Sequence, residues 1–265
     1  MPAECVRVMV RCRPMNKNES DRGSFTVITM DERLKTASIK DPREENNVRQ
    51  FTYDAVFNPD CTQQKIYETS TFPILEAVFS GYNGTVFAYG QTGCGKTHTM
   101  MGEINSETGK GIIPRTFNHM LSVIDANKSN KQYLIRVSFI EIYNEMIHDL
   151  LGLDARAKME LKESPNHGVF IKDLTMKGIK TIEELYKWLD QGNSNRSTGA
   201  TAMNVDSSRS HSIFSIHMEC SETINDEESF KAAKLNMVDL AGSERQSKTH
   251  AQGTRLAEAN KINLS

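Results

Sequence analysis

Thr85-Val86-Phe87-Ala88-Tyr89, followed by Gly90-Gln91-Thr92-Gly93-Cys94-Gly95-Lys96-Thr97, is the stretch that decides the fold. The first five residues read as a short apolar strand. The next eight fill every position of G-x-x-x-x-G-K-[ST], and a helical segment follows. In that order, successive backbone N–H groups can curl around a phosphate with the positive end of a helix behind them. Gly90, Gln91, Thr92, Gly93, Cys94 and Gly95 would form the cradle. Lys96 would reach the β- and γ-phosphates, and the Thr97 hydroxyl would ligate Mg2+.

A phosphate loop of this kind needs a carboxylate at the end of a neighbouring strand to hold the metal through water. Lys234-Leu235-Asn236-Met237-Val238-Asp239 supplies one, an apolar strand ending in Asp239. Gly242 lies three residues further on, where its N–H could sense a γ-phosphate. A strand-end aspartate alone usually caps a turn; paired with the phosphate loop it points to a nucleotide. Guanine readers of this class carry N-K-x-D. Asn127-Lys128-Ser129-Asn130 and Asn260-Lys261-Ile262-Asn263 both lack the aspartate that pairs with guanine, so the expected nucleotide is ATP.

Around this centre, strands alternate with helices. Residues 6–12 alternate as a strand that Arg13-Pro14 stops, and residues 17–50 are polar with only short strand-like pieces. A helical pattern over 62–80 carries Pro73, which should kink or split it. A helix over 113–127, a strand over 133–143 and strands over 212–220 and 233–238 follow. Thr181-Ile182-Glu183-Glu184 has capping-box spacing and should open a helix, and residues 253–265 look like the start of another. The class is α/β, a P-loop NTPase-type layered domain with a central mainly parallel or mixed sheet and helices on both faces.

Composition narrows the partners. With 32 Lys+Arg against 34 Asp+Glu the net charge is −2, which argues against a general nucleic-acid binder and is compatible with one local basic face. No apolar run has the ~18 residues of a membrane helix, and no apolar stretch precedes the first charges, so neither membrane insertion nor a signal peptide is expected. Five scattered cysteines without a C-x-x-C pair read as reduced, mostly buried thiols.

Four motifs in order carry a family resemblance: Arg11-Cys12-Arg13-Pro14, Phe87-Ala88-Tyr89-Gly90 running into the phosphate loop, Asn204-Val205-Asp206-Ser207-Ser208-Arg209-Ser210-His211, and Asp239-Leu240-Ala241-Gly242-Ser243-Glu244-Arg245. Across essentially all 265 residues the chain resembles the kinesin motor domain. Ser243-Glu244-Arg245-Gln246, Lys248-Thr249, Ala251-Gln252-Gly253 and Lys261-Ile262-Asn263-Leu264-Ser265 look most like its heterotrimeric, ciliary-transport branch.

The resemblance implies a microtubule-stimulated ATPase of the cytoplasm and cytoskeleton, and of the cilium if the branch is right, using ATP and Mg2+. Arg11, Arg13 and Pro14 would border the adenine, with His98 on its other side. Ser208 would complete the metal shell, and Asn204 and Ser207 would place the attacking water. Arg209 and Glu244 would form the salt bridge closing the site around the γ-phosphate. Gly242 would relax after phosphate loss and move the loop over 245–256, whose Lys248 and Arg255 would face acidic tubulin. Arg156, Lys158, Lys162 and Lys172 would form a second microtubule-facing set.

The resemblance also implies that the family's domain continues beyond Ser265, through the rest of a microtubule-binding helix, a core strand, two helices and a neck linker. A partner motor chain would join through a coiled coil beyond that. On this reading residues 1–265 are a partial motor domain, with a slot of unpaired backbone beside the phosphate-loop strand. Two alternatives stand beside the motor: a non-enzymatic fragment that keeps nucleotide or microtubule affinity, and a different P-loop ATPase indifferent to tubulin.

Overall fold

The computed structural model describes residues 6–44, 47–129, 131–165, 168–199, 209–224 and 227–244. Its backbone falls into two units, Met1–Ser70 and Thr71–Ser265. In the first, β1 (Met9–Arg11) ends just before Arg13-Pro14. Helix α1 (Lys17–Asp21) then starts on a capping box: the Asn16 side chain accepts from the Glu19 N–H and the Glu19 carboxylate from the Asn16 N–H, both at 2.9 Å. β2 (Ile28–Asp31), β3 (Thr36–Lys40) and β4 (Val48–Thr52) form an antiparallel three-stranded sheet. β5 (Ala55–Phe57) pairs in parallel with β1, and α2 (Gln63–Ser70) completes the unit.

The small sheet corrects the reading of 17–50 as polar with short strand-like pieces. Its register places Ile28 beside Ile39, and Met30 beside Ala37 and Phe51, on one face. No single strand carries more than two of these apolar residues, so the stripe exists only once the strands pair.

The second unit opens with α3 (Phe72–Phe79), which has Pro73 in its first turn; the helical pattern over 62–80 is therefore split, as Pro73 predicts. β6 (Gly84–Ala88), α4 (Lys96–Met100), α5 (Ile112–Asn127), β7 (Lys131–Tyr143) and β8 (Met146–Asp149) follow. Next come β9 (Lys158–Met159), the β10 (Leu161–Ser164)–β11 (Gly168–Ile171) hairpin and β12 (Lys177–Gly178). The unit continues through α6 (Ile182–Gly199), β13 (His211–Ile224) and β14 (Glu227–Asp239). α6 begins much as its sequence predicts. Thr181 Oγ1 accepts from the Glu184 N–H at 3.3 Å, while the Glu184 carboxylate reaches the Lys180 N–H, one residue before the N-cap, at 2.6 Å.

The main sheet has the order β6-β14-β13-β7-β8-β9, with β12 beside β7. It is mixed: β6 and β14 run parallel, and the remaining pairs are antiparallel. One face is apolar and contributes Ile135, Val137 and Phe139 from β7, Phe214, Ile216 and Met218 from β13, and Ala233, Leu235 and Met237 from β14. Against it pack Leu75 and Val78 of α3, Met100 of α4, Ile113, Phe117 and Met120 of α5, and Leu185 and Leu189 of α6. Each such large side chain, fully buried, stabilises the fold by about 1.5–3 kcal/mol.

The opposite face is polar. Arg136 pairs with Glu219, Ser138 lies 3.3 Å from His217 Nε2, and Ser215 donates to Asn236 at 2.8 Å. Burial, then the charges of Lys234 and Arg136, holds the His217 imidazole down to about 4. β6 ends the sheet, and among the described residues no strand pairs with its outer edge. Phe87 on that strand is 60% exposed.

Candidate nucleotide and metal site

The site is built where the parallel pair β6–β14 ends. Ala88 and Asp239 are register partners, so the chain leaves both strands side by side: β6 into the glycine loop, β14 into Leu240-Ala241-Gly242-Ser243-Glu244. Two main-chain bonds keep the segments together, Leu240 N–H to Ala88 O at 3.3 Å and Ser243 N–H to Gly90 O at 3.2 Å. Gly90, Gly93 and Gly95 have φ of 152°, 76° and 98°, a region that side-chain-bearing residues rarely adopt. The loop then enters α4 with Gly95 as N-cap and Lys96 as its first residue.

Within this cradle the Thr97 hydroxyl donates to Asp239 Oδ2 at 2.5 Å. Asp239 is 8% exposed, and its other oxygen, Oδ1, is buried without a hydrogen-bond partner in the structure. A buried carboxylate oxygen without a donor is costly. A hydroxyl and a carboxylate in contact at the mouth of a phosphate loop are hard oxygen donors of the kind Mg2+ takes. The residues therefore fit the metal. Lys96 folds its ammonium back onto the carbonyls of Gly90 and Gln91, at 3.0 and 3.2 Å, inside the loop it would serve.

Glu244 places its carboxylate on the loop as well, accepting from the Thr92 N–H at 2.9 Å and from the Thr92 hydroxyl. Partial burial raises its pKa, but the Thr92 donors, its own N–H and the charge of Lys96 outweigh that and hold it below the ordinary glutamate value. This is the carboxylate that the resemblance pairs with Arg209. Arg209 itself lies two residues before β13.

Two site residues escaped the sequence reading. His211 Nδ1 accepts from the Ala241 N–H at 3.1 Å, joining the start of β13 to the segment after Asp239 and leaving the ring proton on Nε2. Arg196, on the last turns of α6, donates to Glu141 at 3.2 Å and to the Ser210 hydroxyl and carbonyl at 2.9 and 3.1 Å. It anchors the chain where the serine-rich motif enters β13. His211 stood in a quoted motif and could have been picked out there; Arg196 has no local signature.

The remaining expected residues divide. His98 is exposed on α4, one residue past Thr97. Arg11, Arg13 and Pro14 belong to the first unit. There Arg11 donates to Gln63 at 3.0 Å, and burial lowers its pKa. Arg13 forks onto both oxygens of Glu19, at 2.5 and 2.8 Å; this fork, with the Asn16 N–H, pulls the Glu19 carboxyl down to about 2. Asn204, Ser207 and Ser208 lie outside the described residues, as do Lys248, Arg255 and the expected helix over 253–265. Arg156, Lys158, Lys162 and Lys172 are all exposed and lie on one stretch of chain around β9 and the β10–β11 hairpin.

The chain is similar to known proteins. The family model described as the kinesin motor domain matches residues 11–265. The chain is 45% identical over 264 residues to kinesin-like protein klp-20 of Caenorhabditis elegans, covering 99% of this chain and 40% of that protein. It is also similar to a solved structure described as that of a fast kinesin, with implications for ATPase mechanism and interactions with microtubules. There the TM-score is 0.88 at 39% identity, over 97% of this chain and 71% of the other.

Proposed function

The chain belongs to the kinesin motor-domain family, and from that premise we propose that it binds and hydrolyses ATP in a cycle coupled to microtubule attachment and movement. The observation that carries this is the contact of Thr97 with Asp239, whose second oxygen is buried and unpaired. Thr97, Ser208 and, through water, Asp239 would hold Mg2+. Bound there, the metal neutralises phosphate charge, which with positioning is most of what phosphoryl transfer requires.

The chain's own residues do the rest. Gly90, Gln91, Thr92, Gly93, Cys94 and Gly95 cradle the phosphates, and Lys96 unfolds from the Gly90 and Gln91 carbonyls to meet them. Gly242 reads the γ-phosphate through its N–H. Asn204 and Ser207 orient the water, and Arg209 with Glu244 closes the site. The resemblance assigns Arg11, Arg13, Pro14 and His98 to the adenine, and within the first unit the fork of Arg13 onto Glu19 fixes the plane of its guanidinium.

Microtubules are the proposed partner. Arg156, Lys158, Lys162 and Lys172 form one contact set, with Lys248 and Arg255 a second. We place the chain in the heterotrimeric branch, with a partner motor chain, a cytoskeletal location and a ciliary role.

Asp239→Asn tests the metal reading. Binding of a fluorescent ATP analogue should then need at least tenfold more Mg2+, with binding in the absence of Mg2+ little changed. An unaltered Mg2+ requirement would count against the assignment.

A further inference from the structure

The segment after β14 delivers a carboxylate onto the phosphate loop itself. Glu244 takes two hydrogen bonds from one residue, the Thr92 main-chain N–H and the Thr92 hydroxyl, across 152 positions of sequence. The fit leaves no room at Gly242. A Cβ there would lie 2.4 and 2.6 Å from the two Glu244 oxygens and 2.5 Å from Thr92 Oγ1. Lys96 is near enough for its charge to act on the same carboxylate.

The carboxylate therefore sits between a phosphate-loop donor, the loop lysine and the glycine assigned to the terminal phosphate. Loop N–H groups attract anions whatever their chemistry. A second anion entering the same donors meets like charge in a partly desolvated place. We propose that Thr92 sets this site's preference for the number of phosphates: by holding Glu244 against Gly242 it disfavours a nucleoside triphosphate relative to a diphosphate. Only the Glu244 side chain has to turn to lift the restriction, because the Ser243 N–H bond to Gly90 holds the main chain in place. Arg209 is the partner that would receive the carboxylate. The inference rests on the nucleotide-binding reading above.

The test compares dissociation constants for fluorescent ADP and for a non-hydrolysable fluorescent ATP analogue on the 265-residue chain. Thr92→Ala, Thr92→Ser and Glu244→Gln are measured beside it, and circular dichroism checks that each variant folds. Every variant keeps the Thr92-position N–H; Thr92→Ala removes only the hydroxyl bond, and Thr92→Ser returns it. Thr92→Ala should shift the ratio of constants about tenfold toward the triphosphate, the scale of one hydrogen bond to a charged group. Serine should restore the original ratio, and Glu244→Gln should move it the same way as alanine. An unchanged ratio, or selective loss of the triphosphate in Thr92→Ala, would overturn the proposal and make Thr92 an ordinary nucleotide contact. Failure of the unsubstituted chain to bind either nucleotide would remove the nucleotide reading itself.

Discussion

Gly192 lies inside α6, where alanine is ordinarily the better residue by about 1 kcal/mol. Here the preference should reverse. A Cβ at 192 would stand 2.2 Å from Phe139 Cδ1 and 2.7 Å from Cε1, against the roughly 3.5–4.0 Å at which carbons pack. Phe139 is 3% exposed and meets Phe214 edge-on at 5.5 Å, so its ring has no open space to enter. The helix must move out by about 1 Å or the ring must leave its rotamer, at an overpacking cost of about 1–3 kcal/mol. Set against the helix-propensity gain of about 1 kcal/mol, Gly192→Ala should destabilise by up to about 2 kcal/mol. Urea unfolding reads this directly as a lower midpoint with an unchanged slope.

A Phe139→Val background sharpens the test. It removes Cδ1 and Cε1, the two atoms that the methyl meets most closely, so there Gly192→Ala should be neutral or stabilising, and the two substitutions should couple by at least 1 kcal/mol. A functional readout follows from Arg196, one helical turn along, which anchors Ser210 and Glu141. Displacing α6 should lower kcat more than it changes KM for ATP. Equal or greater stability of Gly192→Ala in the native Phe139 background would refute the reasoning.

Two further predictions concern charge. His217 titrates near 4 in the fold against an ordinary 6.5. The unfolded chain therefore takes up the proton first, and stability falls as pH drops from about 6.5 to about 4. The loss is about 2 kcal/mol after discounting for residual solvent, and melting temperatures at neutral and acid pH should show His217→Gln to be less acid-sensitive. Lys162 and Lys172 lie beside the exposed carboxylates of Glu160 and Asp173, at 3.1 and 3.9 Å. Their double alanine variant should raise KM for microtubules several-fold at low salt and little at high salt, with basal turnover unchanged.

What the sequence reveals here depends on how local the physics is. The phosphate loop is eight consecutive residues, and the run over 234–239 that closes β14 at Asp239 is six, so both are legible without the fold. The division at Pro73 and the start of α6 at Thr181 are equally local. The sheet of β2, β3 and β4 is not, because its apolar stripe is shared among three strands. β13 and β14 run well past the apolar spans 212–220 and 233–238, through polar residues that pair across strands, as Lys131 and Glu222 do at 3.3 Å. The Thr92–Glu244 contact joins two individually legible motifs by a bond that neither announces.

The central claim is that one phosphate loop drives turnover under microtubule control, and steady-state ATP hydrolysis by this chain, with and without polymerised tubulin and beside Lys96→Ala, tests it most directly. Lys96 is the ammonium now folded onto Gly90 and Gln91, so its removal takes away phosphate charge neutralisation without opening the core. The account predicts turnover that polymerised tubulin stimulates strongly and that Lys96→Ala abolishes. Turnover indifferent to tubulin would point to a different P-loop ATPase, and no turnover from folded, soluble protein to a non-enzymatic fragment; either result would contradict the account.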